Sequence, residues 1–168
     1  WSSARPARPS WQPEVADART ELRVLSYNVR SLRDDDAEVA AIIRSCAPDV
    51  VCVQEAPRFL RWRSMRAKLA RASGLVVATA DRPGGLLIMT SLRASVISTS
   101  FALLPLNNGK HRRAVAVAEV EVGGVRCRVA SIHLSTDPAE RQQHLEPLWS
   151  ALRPADEPAM VLKAKGDA

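Results

Sequence analysis

The sequence is short of cysteine and of long apolar runs, and each shortage excludes something. Cys46, Cys52 and Cys127 are odd in number, sit inside apolar runs and form no Cys-x-x-Cys pair. That pattern argues against a disulfide framework or a zinc site, and all three read as small core residues. No apolar stretch approaches the roughly 20 residues that cross a bilayer, and no segment has the make-up of a signal peptide. Acidic residues are the minority charge, 18 against 24 basic for a net +6. The balance favours anionic partners such as phosphates, nucleic acid or acidic membrane surfaces. Free cysteines favour a cytoplasmic location, while a start at Trp1 rather than Met leaves room for a lost export signal or anchor.

What is present suits one globular domain: 168 residues, 46% of them apolar, enough for a core. Residues 1–20 hold three prolines and no periodic apolar face, so they read as a leader or linker ahead of a domain at 21–168. From Leu22, "LRVLSYN" has strand composition, and "DDDAEVAAIIRSC" follows with acids in its first turn and Val39, Ile42, Ile43 and Cys46 at helical spacing. Pro48 closes that helix, "VVCVQ" is a buried strand, and "RFLRWRSMRAKLARASG" predicts a helix with Trp62, Met65 and Leu69 inward and Gly74 as its stop.

Strands are then expected at "GLVVATA", "GGLLIMTS", "ASVISTSFALLP", "RAVAVAEVEV" and "VRCRVASIHL", with Gly123 and Gly124 as a hairpin turn between the last two. In "DPAERQQHLEPLWSAL", Asp137 is placed as N-cap with Glu140 three residues on, a capping-box arrangement, and Leu145, Leu148, Trp149 and Leu152 as the core stripe. "AMVL" starts one more strand before the chain stops at "KAKGDA". The simplest architecture is a β-sandwich flanked by helices, of α/β (α+β) class.

Three polar residues fall at the ends of predicted strands, where sheets present functional groups: Asn28, Glu55 and His133. Glu55 suits Mg²⁺, which takes oxygen ligands and usually one or two carboxylates; the competing reading is a capping or salt-bridging glutamate. Asn28 could bond metal-bound water or a carboxylate, or simply form a turn. His133 could serve a phosphoryl oxygen as donor or general acid, or be a satisfied structural histidine.

Lys110, His111, Arg112 and Arg113 gather beside Gly109, either as a phosphate-contacting edge or as a solvated hairpin tip. Arg58, Arg61, Arg63, Arg66, Lys68 and Arg71 surround Trp62 and could track a nucleic-acid backbone; a core stripe with a solvated basic face is the plainer reading. His144 and Asp49 read as structural.

Taken together, "LRVLSYNVRSL", "PDVVCVQEA", "HRRAVAVAEVEV" and "RVASIHLS…ERQQ" resemble the endonuclease/exonuclease/phosphatase family of DNase-I-like phosphoesterases. The resemblance runs from about Leu22 to Leu162 and rests on order and spacing. It implies a four-layered α-β-β-α sandwich. It also implies Mg²⁺ chemistry, with Mn²⁺ as an alternative, in which Glu55 matches the metal-binding glutamate, Asn28 the amide near metal and phosphate, and His133 the histidine near the scissile phosphate. The family continues with Gly-Asp-x-Asn and a later Asp-His element. Gly166-Asp167 offers only a first half, so Asp167 is carried over as the aspartate that orients the nucleophile, and the chain is expected to be a C-terminally truncated member.

Two functions follow as expectations. One is a monomeric Mg²⁺-dependent phosphoesterase acting on nucleic acid, a phospholipid head group or a small phosphoester. The other is a catalytically incomplete remnant that binds anions or nucleic acid.

Overall fold

The computed structural model describes residues 21–79, 83–106 and 111–152. The first strand, β1 (Val24–Asn28), leads through a tight turn to helix α1 (Asp36–Ser45), then to β2 (Val50–Gln54) and α2 (Trp62–Ala72). β3 (Val76–Val77), β4 (Leu87–Thr90), β5 (Ser95–Leu103), β6 (Ala114–Val122), β7 (Val125–Ile132) and α3 (Pro138–Leu152) complete the described elements.

The local chemistry accounts for the boundaries. Asp35 caps α1 by accepting from the Ala37 and Glu38 N–H groups, and Asp36 and Glu38 place negative charge in its first turn. Every residue of β2 is buried, because it lies between β1 and β4 with a helix layer on one face and the second sheet on the other. Gly123 and Gly124, at φ 56° and 80°, turn β6 into β7 with the two positive φ values that a two-residue hairpin needs.

Two sheets stack. The first runs β1-β2-β4-β3, with β1 and β2 parallel, and the second runs β5-β6-β7, all antiparallel. One apolar cluster, including Val39, Ile43, Val51, Val53, Leu69 and Met89, fills the space between α1, α2 and the first sheet. A second, with Val50, Cys52, Ile88, Ala116, Ala118 and Val120, lies between the sheets, and a third joins Val115, Val117, Ala130 and Ile132 to Leu148 and Leu152 of α3. The layers are therefore α-β-β-α, the sandwich expected from the sequence. Ser131 Oγ donates to Val53 O at 3.2 Å, a direct polar tie between the sheets.

Several expectations are corrected. Helix α2 starts at Trp62 rather than Arg58, because Arg61 adopts a left-handed conformation (φ 59°) and Phe59 and Leu60 stay in the loop. Arg66, expected on a solvated face, is 1% exposed; its guanidinium bonds the Pro57 and Leu86 carbonyls and lies against Trp62. Ile42 and Cys46 are exposed rather than core, and Cys127 is only half-buried.

In α3, Asp137 caps as expected, but Ser135 Oγ accepts its N–H, and Glu140 is buried instead of closing the capping box. The inward stripe is Glu140, His144, Leu148 and Leu152, with Leu145 and Trp149 exposed, so only half of the expected stripe packs. "GLVVATA" contributes a strand of only two residues. Asp49 is structural as expected: it accepts from the Arg23 N–H and pairs with Arg93. "AMVL" lies outside the described residues.

Candidate active site

The parallel pairing of β1 with β2 sets Asn28 opposite Gln54, so Glu55 emerges one residue beyond Asn28 at the same sheet end. Gln54 does not share that exposure. It is buried, and its amide bonds Ser26 Oγ and Cys52 O, which leaves Glu55 as the group that projects.

Asn28 Nδ2 donates to Glu55 Oε1 at 2.9 Å, and Asn28 Oδ1 accepts the Arg30 N–H at 3.0 Å. The amide is thus held from both ends. His133, immediately after β7, brings Nε2 to 3.9 Å from the same Oε1. The second sheet therefore contributes its imidazole to a carboxylate that the first sheet presents.

The backbone around these residues is strained. Arg30, Ser31 and Leu32 take consecutive left-handed conformations (φ 45°, 60° and 55°), and Glu55 itself sits at φ 50°. Such conformations cost non-glycine residues about 1–3 kcal/mol each and persist where surrounding contacts fix them. Here those contacts exist: Ser31 N–H donates to Glu55 O at 2.7 Å, and Ala56 N–H to Gly85 O at 2.7 Å. Nothing in "RSL" signals positive φ, since none of its residues is Gly, Asn or Asp.

Glu55 keeps partial solvent access (41% of its side chain) as does His133 (26%). Glu55 Oε1 is engaged, while Oε2 makes no hydrogen bond or ion pair among the described residues. An exposed carboxylate oxygen beside an amide suits a hard cation that fills its remaining positions with water and phosphate. Among the described residues no group of three or more His, Cys, Asp or Glu converges.

Of the basic cluster, Arg112 lies close by: its carbonyl oxygen is 3.5 Å from where a Cβ on Gly84 would stand. His111 and Arg112 are exposed and Arg113 is half-buried, its carbonyl accepting from the Leu104 N–H. Lys110 and Asp167 lie outside the described residues. Gly84 and Gly85, not singled out by sequence, form the wall beside Glu55: a Cβ on Gly85 would lie 3.7 Å from Glu55 Cα, and one on Gly84 only 3.1 Å from Ala114.

The sequence profile of the Endonuclease/Exonuclease/phosphatase family matches residues 25–162. The chain belongs to that family. No protein of curated function matches the sequence. Solved structures share the family fold at low identity. One is D. rerio TDP2 complexed with single-strand DNA product, at TM-score 0.61 and 23% identity over 83% of this chain and 58% of that one. Another is a mannosyl-6-phosphatase of Bacteroides thetaiotaomicron, at 0.65 and 15% over 84% of this chain and 64% of that one. A third is a conserved protein of unknown function from Enterococcus faecalis, at 0.61 and 16% over 78% and 60%. This family member thus spans about three-fifths of the length of these three structures.

Proposed function

We propose that the chain carries a Mg²⁺-dependent phosphoesterase site that hydrolyses a phosphate ester with water. The observation that carries this reading is the meeting of Asn28, Glu55 and His133 at one end of the sandwich. Membership of a phosphoesterase family supports it, as do similar folds in proteins described as a TDP2 with DNA product and a phosphatase.

Glu55 would hold the cation through its outward oxygen, with Asn28 fixing the carboxylate's orientation. Bound there, Mg²⁺ would supply charge neutralisation at the phosphate. His133 donates a hydrogen bond to a phosphoryl oxygen or a proton to the leaving oxygen. Arg112, with His111, Lys110 and Arg113 in the same loop, offers positive charge to the substrate's phosphates and to the added charge of the transition state. Asp167 is assigned the orientation of the attacking water.

The test is hydrolysis of bis(p-nitrophenyl) phosphate and p-nitrophenyl phosphate with and without Mg²⁺, by the chain and by its Glu55→Gln and His133→Ala variants. Mg²⁺-dependent turnover that Glu55→Gln abolishes and His133→Ala lowers by about 10²–10⁴-fold is expected. Turnover that survives Glu55→Gln would refute the assignment. Metal-independent anion binding without turnover would favour the binding-module reading.

A further inference from the structure

The second sheet ends on β5, a nine-residue strand that pairs with β6 and with no other strand among the described residues. We infer that two copies of the chain associate by pairing their β5 edges antiparallel about a two-fold axis at Phe101. The inference does not depend on the proposed hydrolysis, and it departs from the monomer expected from the sequence.

The edge carries little to prevent this. A free strand edge is a row of unpaired N–H and C=O groups, and proteins ordinarily guard it with lysine, proline, a bulge or a very short strand. β5 is exposed at every position but Ala102, and Ser95–Leu103 contains neither a charged residue nor a proline. Its one guard is a register shift between Val96 and Ser98, which leaves Ser98 to Leu103 in regular pairing. The core beneath the edge is open as well. Cross-strand partners share a face of the sheet, and Thr99, Phe101 and Leu103 lie opposite Ala118, Ala116 and Ala114, which belong to the apolar cluster between the sheets. Phe101 and Leu103 thus face the core side, yet each is 48% exposed. The first sheet gives the reason: β2 packs on β7 and β4 on β6, so β3 and β5 end the two sheets on the same side. With only two residues, Val76 and Val77, both exposed themselves, β3 is too short to cover β5.

Register and charge select a second copy as the occupant. Directly opposed residues of an antiparallel pair face the same side of the sheet, so a two-fold axis between two identical strands must centre on a residue. Centred on Phe101, the axis sets Phe101 against itself, Thr99 against Leu103 and Ser100 against Ala102. That register stays within the regular stretch and joins the open apolar edge of one core to that of the other. Centring on Ser100 would set Leu103 against the bulge at Ile97. Two copies at net +6 repel wherever their basic surfaces meet, and β5 is an uncharged strip on which that repulsion is least. An anionic partner would find no cation on the strand. His133 follows β7, at the opposite edge of the same sheet, so the pairing does not touch it.

Sedimentation velocity of the chain over a range of concentrations tests this. A monomer–dimer equilibrium with nothing larger is expected, because pairing uses up both β5 edges, and added salt should shift it toward the dimer by screening the like charges. Phe101→Lys sets two cations opposite each other and should raise the dimer Kd by at least about tenfold. Ser100→Lys, at an exposed position on the other face of β5, should also weaken the dimer and replaces Phe101→Lys if that variant does not fold. In a Cys46→Ser background, Phe101→Cys should close a disulfide with its own copy on mild oxidation, because directly opposed residues lie about 4.5–5.5 Å apart, within disulfide reach; Val96→Cys should not. A chain that stays monomeric, leaving the edge to a strand of another protein, would overturn the inference. So would assembly that does not stop at two, a dimer that neither lysine variant weakens, or cross-linking through Val96→Cys in preference to Phe101→Cys.

Discussion

Asn28 Nδ2 donates to Glu55 Oε1 at 2.9 Å across the parallel pair of β1 and β2, while Asn28 Oδ1 is occupied by the Arg30 N–H. The amide therefore cannot turn over without losing both bonds. The result is a carboxylate fixed on one side and open on the other.

Removing that restraint should weaken the site without emptying the core. Asn28→Ala is expected to lower Mg²⁺ affinity by about 10–100-fold, the usual effect of losing a group that orients a metal ligand. Calorimetric titration with Mg²⁺ measures it. An affinity equal to the parent's would mean that Asn28 does not position Glu55.

The second prediction concerns Arg66, buried at 1% exposure and bonded to the Pro57 and Leu86 carbonyls. These bonds pin the loop after Glu55 to the residue preceding β4. Arg66→Met removes the charged donors and strands both carbonyls, so urea unfolding should reveal a loss of roughly 2–3 kcal/mol. An unchanged midpoint would show that the guanidinium is replaceable by apolar packing.

The cysteines differ in reactivity. Cys52 is buried between the sheets, and burial pushes its thiol up to about 12. Burial also raises the half-buried Cys127. Near neutral pH Cys52 is therefore a thiol rather than a thiolate, and it should resist iodoacetamide in the folded chain while exposed Cys46 is alkylated first. Peptide mapping after timed alkylation reads this. Equal modification of Cys46 and Cys52 would mean that the sandwich opens readily.

The contrast between Glu55 and Arg66 explains what a sequence can disclose here. That Glu55, Asn28 and His133 meet was legible because each stands at or just past the end of a strand, and strand ends in a layered fold lie near one another. The sandwich was legible for the same reason, through strand and helix periods. Arg66 was not: its periodicity matches the solvated face of α2, and the carbonyls that bury it come from Pro57 and Leu86, nine and twenty residues away. His144 was read as structural, but its burial was not read: its Nε2 meets Pro105 O thirty-nine residues away, and the stripe through Leu145 and Trp149 gave way to one through Glu140 and His144. The left-handed run at Arg30, Ser31 and Leu32 has no signature in residue type, because its cause is the hydrogen bond from Ser31 to the Glu55 carbonyl.

Glu55 as the cation-holding residue is the claim on which the rest depends, and thermal melting with and without Mg²⁺, for the chain and for Glu55→Gln, tests it most directly. Mg²⁺ at about a hundredfold excess over Kd should stabilise the parent by about 2.7 kcal/mol and raise its Tm, with no rise in Glu55→Gln. An equal rise in both proteins, or none in the parent, would contradict the assignment.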